Sequence, residues 1–257
     1  MTSPTDRTHH LDASSDLWSV PEFSPEQLPR HIALITDGNG RWAQQRGLPR
    51  TEGHREGERM LFELVKNCFE LGIPYLSAFV FSTENWRRSP AEVRFILGYS
   101  RRVLRKRRNE LNELGIRIQW AGDRERLWRS VAKELDAAAD LTAGNTGMTL
   151  TLCVNYGARA ELAGAARKIA ERVAAGELDP AEITEKTVTE QLYIPELPDV
   201  DLLLRTSGEH RISNFLLWQA AYAEFVFDDT FFPDFDRAAL HRAIAEYAGR
   251  HRRYGGH

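Results

Sequence analysis

The chain has 257 residues, 42% of them hydrophobic and 28% charged; this suits one globular domain with its own core and excludes disordered, collagenous and fibrous classes. Its 34 basic and 37 acidic side chains leave a net charge of -3, so the total recommends no nucleic-acid partner and any anion site must be local. No apolar run approaches the roughly 18 residues of a membrane-spanning helix, and Asp6, Asp12, Asp16 and Glu22 stand where a signal peptide would be apolar, which predicts a cytoplasmic protein.

Residues 1–29 are rich in Ser, Thr, Pro and Asp without periodicity and read as a flexible tail, so the domain is expected over 30–257. Short apolar runs then recur: HIALIT (31–36), YLSAFVF (75–81), IRIQWA (116–121), MTLTLCVN (148–155), VDLLLR (200–205) and EFVF (224–227). Most are continuous rather than alternating, as expected of strands covered on both faces. Between them, Leu61, Leu64, Val65, Cys68 and Phe69 follow helical spacing, as do Leu162, Ala165, Ala166, Ile169 and Val173. Further helices are expected over 91–114 and 236–250. Alternating strands and helices imply crossover connections, hence one α/β domain with a mainly parallel six-stranded sheet and helices on both faces. Cys68 and Cys153 lie inside apolar runs at no metal-ligand spacing and read as buried spectators.

The polar residues gather after the strands. DGNGRW (37–42) follows the first run, STENWRR (82–88) the second, and TSGEHR (206–211) the fifth. Open parallel sheets bind ligands outside the carboxyl ends of their strands, so the three segments should share one rim. That rim carries Arg41, Arg88, Arg205 and Arg211, with Arg50 and His54 nearby. Guanidinium groups in such number suit a dense anion such as a diphosphate, which they grip bidentately. No P-loop and no dinucleotide glycine fingerprint is present. Asp37 is a structural counter-ion to these arginines or the holder of a Mg²⁺ against the diphosphate. Glu224, at the start of the last run, is a second available carboxylate.

With these motifs in place, the chain resembles the cis-prenyltransferases of the undecaprenyl diphosphate synthase family. HIALITDGNGRWA, FSTENWRRSPAEV and DLLLRTSGEHRISNFLLWQAAYAEFVF carry the likeness over about 28–256, and EVRFILGYSRRVLRKRRNEL is similar to the actinobacterial decaprenyl diphosphate synthase branch. The resemblance implies a hydrophobic tunnel, Mg²⁺ as cofactor and condensation of isopentenyl diphosphate with an allylic prenyl diphosphate to give a long-chain lipid carrier precursor for the cell wall. It assigns Asp37 to Mg²⁺ and to departure of the allylic diphosphate, and Gly38, Asn39, Gly40, Arg41, Arg50 and His54 to the allylic cradle, bordered by Trp42. Ser82, Thr83, Glu84, Asn85, Trp86 and Arg88 match the segment that closes over the reacting carbons, with Asn85 as proton acceptor or relay. Arg205, Arg211, Ile212 and Ser213 match the isopentenyl diphosphate pocket, and Glu224 the second metal carboxylate. A homodimer is implied, with Arg253 and Gly255 reaching the partner's site.

The tunnel wall is expected from helices over 58–71 and 91–114 through Leu61, Leu64, Phe69, Val93, Ile96 and Leu97. Two residues depart from the family pattern: Thr36 stands where methionine is common, and Val80 where a smaller residue can line the tunnel and allow a longer product. Six cations between 101 and 108 form either a solvated helix face balanced by Glu110 and Glu113 or a patch for anionic membrane surfaces. Alternative readings are a short-chain synthase, a non-catalytic partner subunit, which Asp37 and Arg41 argue against, and a hydrolase, which lacks its nucleophile motif.

Overall fold

The computed structural model describes residues 23–250. Six strands form one sheet: β1 (His31–Ile35), β2 (Tyr75–Ser82), β3 (Ile116–Ala121), β4 (Met148–Tyr156), β5 (Leu202–Arg205) and β6 (Glu224–Phe227), in the order β3-β4-β2-β1-β5-β6. Every pairing is parallel. The helices are α1 (Asn39–Gln45), α2 (Arg50–Glu70), α3 (Pro90–Glu113), α4 (Arg129–Thr142), α5 (Ala158–Ala174), α6 (Glu185–Thr189) and α7 (Arg237–Ala248).

The continuous apolar runs have the cause expected of them. All five β1 residues and all four of β5 are buried. Alternate side chains serve two cores: Ile32 and Leu34 pack on one face with residues of α2, α3, α4 and α7, while Ala33 and Ile35 pack on the other with Phe215, Leu216 and Ala158 at the start of α5. Cys68 and Cys153 are buried and unbonded, and burial pushes the Cys68 thiol up to about 12.

Three features differ from the sequence expectation. The domain starts before residue 30: Phe23 and Leu28 pack against the first core, and the Phe23 ring lies 5.8 Å from that of His241. Helix α4 escapes a search for large apolar residues because its buried stripe includes Ala132, Ala138 and Thr142 beside Val131 and Leu135. Helix α1 is too short to show a period; it begins at Gly38, whose φ of +105° and whose contact with Phe231, 2.7 Å from where a Cβ would stand, admit no side chain.

Two structural facts position the site. The chain runs outward from β1 to β2 on one side and returns to β5 on the other, so the sheet's topological switch point lies beside β1. β2 also carries a bulge between Phe79 and Ser82. Bulges re-aim side chains next to active sites, and here the bulged stretch contains Val80, which faces the space between α2 and α3.

Candidate active site

Outside the carboxyl ends of β1, β2 and β5 lies a cleft of about 520 Å³. Asp37 to Arg41 form its floor, Arg50, His54 and Arg88 one wall, Arg205 and Ser213 the other, and Ser82, Glu84 and Asn85 its rim. All thirteen were expected at the rim from the sequence.

Asp37 is the electrostatic centre. Its Oδ2 accepts from Arg205 at 2.8 Å, its Oδ1 accepts from the Gly38 N–H at 2.7 Å and lies 3.3 Å from the Arg41 guanidinium. Burial alone would raise this carboxyl, but the Arg205 hydrogen bond, the Arg205 and Arg41 charges and the Gly38 amide together hold it below the usual range. Thr206 fixes the loop, donating to the Asp37 carbonyl at 2.7 Å and accepting from its N–H at 3.0 Å. Arg205 is only 4% exposed at its side chain; it also donates to Ser213 Oγ at 2.7 Å and to the Arg211 carbonyl. Ser207, Ser213, Asn214 and Leu216 adopt left-handed backbone, at φ between +45° and +74°. This conformation folds the segment back so that Arg205 can reach Arg211 and Ser213.

Carboxylates pair with the cations of the cleft. Glu92, at the start of α3, accepts from Arg88 at 2.9 Å and lies 3.4 Å from both Arg50 and His54. Burial lowers the His54 pKa and the Arg88 and Arg50 charges reinforce it against Glu92, favouring a neutral imidazole. Glu209 bridges Arg41, at 2.8 Å, and Arg211. Neither carboxylate was singled out from the sequence. The signal for Glu92 was present: it stands three residues after Ser89, which accepts from its N–H at 3.3 Å as an N-cap, and one helical turn after Arg88.

Other expected residues lie outside the cleft wall. Trp42 turns away: its Nε1 donates to Asp234 at 2.8 Å and Arg46 stacks on its ring. Trp86 donates to Asn155 at 2.7 Å and packs edge-on against Phe81, anchoring the 83–88 turn to β4. Thr83 packs toward Gly157, Ile212 toward the second core, and Arg211 is more than half exposed at the rim. Asn85 spends its Oδ1 on the Ser82 N–H at 3.0 Å, holding this turn closed. Glu224 does not join Asp37 within the chain. It opens β6 level with Leu202, three residues before Arg205, hence about 10 Å toward the opposite end of the sheet. It pairs there with Arg250 at 2.8 Å. Arg253 and Gly255 lie outside the described residues.

The residues fit a hard cation in one respect. Asp37 is a half-buried carboxylate facing a cleft that would bring phosphate oxygens beside it, and Mg²⁺ takes one or two carboxylates with substrate phosphates supplying further ligands. Among the described residues no group of three or more His, Cys, Asp or Glu side chains could hold a metal unaided. Any ion would depend on the bound anion.

Behind His54 the cleft continues into an apolar cavity of about 100 Å³ between α2, α3 and β2. Leu61 and Ile96 line it as expected, with Phe62, Val65, Val80 and Val103. Leu97 lines a smaller void beyond Val80. Leu64, Phe69 and Val93 do not face it and belong to the plain core. The basic stretch of α3 is balanced chiefly from α4: Arg105 and Arg108 reach Glu134 at 2.7 and 3.0 Å, while Arg107 reaches Glu110 at 2.8 Å. No helix among the described residues is long and apolar enough to cross a membrane.

A cationic cleft opening on an apolar cavity defines a protein that takes molecules with an anionic head and a hydrocarbon tail. The chain belongs to the undecaprenyl diphosphate synthase family of prenyltransferases, whose family model matches residues 35–255. It is 59% identical to a trans,polycis-polyprenyl diphosphate synthase ((2Z,6E)-farnesyl diphosphate specific) of Thermobifida fusca, over 92% of this chain and 84% of that one. It is 56% identical to the decaprenyl diphosphate synthase of Mycobacterium tuberculosis, over 90% and 78%. Among solved structures, lavandulyl diphosphate synthase from Lavandula x intermedia in complex with dimethylallyl diphosphate matches with a TM-score of 0.86 and 38% identity, over 90% of this chain and 99% of that one. A probable undecaprenyl diphosphate synthase from Campylobacter jejuni matches with a TM-score of 0.74 and 32% identity, over 88% and 98%.

Proposed function

We propose that this chain elongates an allylic prenyl diphosphate by successive cis condensations with isopentenyl diphosphate, giving a long-chain polyprenyl diphosphate of the decaprenyl or undecaprenyl class that feeds cell-wall lipid carriers. The observation that carries the reading is the division of the cleft's cations into two sets on either side of Asp37. Arg50 and Arg88 with His54 gather around Glu92 on the side of the apolar cavity, Arg205 with Ser213 and Arg211 forms the other set, and Arg41, within reach of Asp37, stands between them and shares Glu209 with Arg211. A reaction joining two diphosphate esters needs two such anchors, one for each head group, with the reacting carbons between them.

The allylic head lies against Gly38 to Arg41, where it displaces Glu92 from Arg50, Arg88 and His54, and its tail enters the cavity behind His54. Isopentenyl diphosphate lies against Arg205, Ser213 and Arg211, taking over Glu209's hold on Arg211. As the allylic carbon–oxygen bond breaks, negative charge grows on the leaving diphosphate, and the guanidinium groups of Arg41 and Arg50 lie where that charge develops. A Mg²⁺ ion held by Asp37 would add positive charge at the same place. The new carbon–carbon bond leaves a proton to be lost, and Asn85 stands on the cleft rim for its acceptance or relay. Its Oδ1 must first release the Ser82 N–H.

The proposal includes a homodimer, supported by edge strand β6, which carries the exposed Phe225 and follows the exposed Tyr222. It also includes peripheral contact with anionic lipid through the exposed Arg102, Arg105 and Lys106. Incubation with labelled isopentenyl diphosphate, Mg²⁺ and allylic diphosphates of several lengths tests the function. Organic-extractable label of long chain length is expected; phosphate release without elongation, or no incorporation with any primer, refutes it.

A further inference from the structure

Past the diphosphate cleft, one stripe of α2 lines the cavity in the order His54, Glu58, Phe62 and Val65, spaced at helical intervals. Helix α3 lines it from the other side with Ile96, Tyr99 and Val103. Glu58 is the anomaly in this wall. Its Oε2 accepts a hydrogen bond from the Tyr99 hydroxyl at 3.0 Å, while its Oε1 is buried without any partner. Burial raises the Glu58 carboxyl against the opposing Tyr99 hydrogen bond and the Arg107 and Lys106 charges, and burial beside Glu58 pushes the Tyr99 hydroxyl up to about 12. An unsatisfied carboxyl oxygen facing hydrocarbon is a costly arrangement for a structural tie. It is also unnecessary as one, because Lys66 and Glu110 already link the same two helices at 2.6 Å outside the cavity.

The place of the pair gives it a use. His54 lines both the cleft and the cavity, and Glu58 stands four residues further along α2, about 6 Å deeper. A tail whose head group lies beside His54 therefore meets Glu58 and Tyr99 early in its path. The cavity of about 100 Å³ is well short of the roughly 300–1,000 Å³ of ordinary ligand pockets. A long tail must part α2 from α3, and the Glu58–Tyr99 hydrogen bond spans those helices within the cavity.

We propose that Glu58 and Tyr99 form a polar clasp across the hydrocarbon cavity, which the prenyl tail must open, and that the clasp sets which allylic primers enter and how far the chain grows. The inference rests on the elongation reading above. Polarity in the wall penalises each tail that lies against it, so the pair discriminates by tail length rather than by head group. The residues are specificity-determining and take no part in bond making.

The test compares the full-length chain with Glu58→Met, Glu58→Gln and Tyr99→Phe, using labelled isopentenyl diphosphate with C10, C15 and C20 allylic diphosphates. The readouts are product chain length and the ratio of kcat/KM between the longest and shortest primers; thermal denaturation checks folding. Glu58→Met and Tyr99→Phe are expected to lengthen the main product by at least one five-carbon unit and to raise the ratio three-fold or more. Glu58→Gln, which keeps a polar group against Tyr99, is expected to stay near wild type. Unchanged products and ratio in Glu58→Met and Tyr99→Phe overturn the clasp, as does an equal shift in Glu58→Gln. A wild-type chain that incorporates no label refutes the elongation reading instead.

Discussion

Replacing Gly53 by alanine tests how the cleft floor is held. Gly53 lies on α2 where that helix crosses the start of α1, and a Cβ there would stand 1.9 Å from the Asn39 carbonyl oxygen and 2.7 Å from its carbon. Ordinary contact begins near 3.4 Å, so α2 and the Asn39 backbone must separate by about 1.5 Å. The obstacle is backbone, which cannot rotate aside as a side chain can. Asn39 follows Asp37 and Gly38 directly, so the displacement passes into the proposed allylic cradle. A misplacement of about 1 Å costs on the order of 100-fold in rate, and overpacking of this kind about 1–3 kcal/mol in stability. Gly164 on α5 is the matched control: a Cβ there meets nothing within 4 Å, and alanine should stabilise it by about 0.5–1 kcal/mol. Steady-state kinetics with the allylic primer varied, and chemical denaturation of both variants, provide the comparison. A Gly53→Ala protein with wild-type kcat/KM and stability would refute the claim that this helix crossing fixes the cradle.

Further outcomes follow from the same geometry. Asp37→Ala should abolish elongation and leave the buried Arg205 without its carboxylate, costing about 1–3 kcal/mol while the fold survives; wild-type turnover in this variant would overturn the metal assignment. Arg211→Ala should raise KM for isopentenyl diphosphate at least ten-fold and change that for the allylic primer much less, since Arg211 extends the Arg205 and Ser213 side of the cleft; equal losses for both substrates would contradict the two-anchor division. His31, fully buried, bonds Pro198 O at 2.9 Å and Ser77 Oγ at 2.8 Å, and burial lowers its pKa to about 4 from 6.5. The unfolded chain therefore binds the extra proton first. Stability should be complete above pH 6.5 and fall by about 3 kcal/mol as pH drops toward 4, and His31→Gln should flatten that slope in denaturation curves taken from pH 7 to 4.5.

The sheet was legible because its central strands are covered on both faces, which writes a nearly continuous apolar run into the sequence for β1 and β5. Helix α2 was legible because the large side chains of its stripe, Leu64, Val65 and Cys68, are the ones it buries, while the alanines of α4 mask its stripe and only Ala165 and Ile169 of the apolar spacing read on α5 are buried. The cleft could be read because a parallel sheet brings loops that are distant in sequence to one edge, so Asp37, Ser82 and Arg205 meet although 45 and 123 residues separate them. Which side chains then face the cleft was not legible. Trp42 sits one residue beyond Arg41 yet turns out to Asp234, because successive helical residues point about 100° apart. Glu224 opens its strand three residues before the level of Arg205 and pairs with Arg250 within the chain, a placement that motif matching does not supply. Glu92, Glu209 and Glu58 escaped because a carboxylate beside cations or within an apolar stripe has no spacing signature of its own.

Crystals soaked with isopentenyl diphosphate, Mg²⁺ and an unreactive thiolo analogue of an allylic diphosphate would test the two-anchor cleft most directly. One diphosphate should lie against Gly38 to Arg41 with Arg50 and Arg88 released from Glu92, and the other against Arg205, Arg211 and Ser213, with the prenyl tail between α2 and α3. A single diphosphate site, or two sites that do not flank Asp37, would contradict the account.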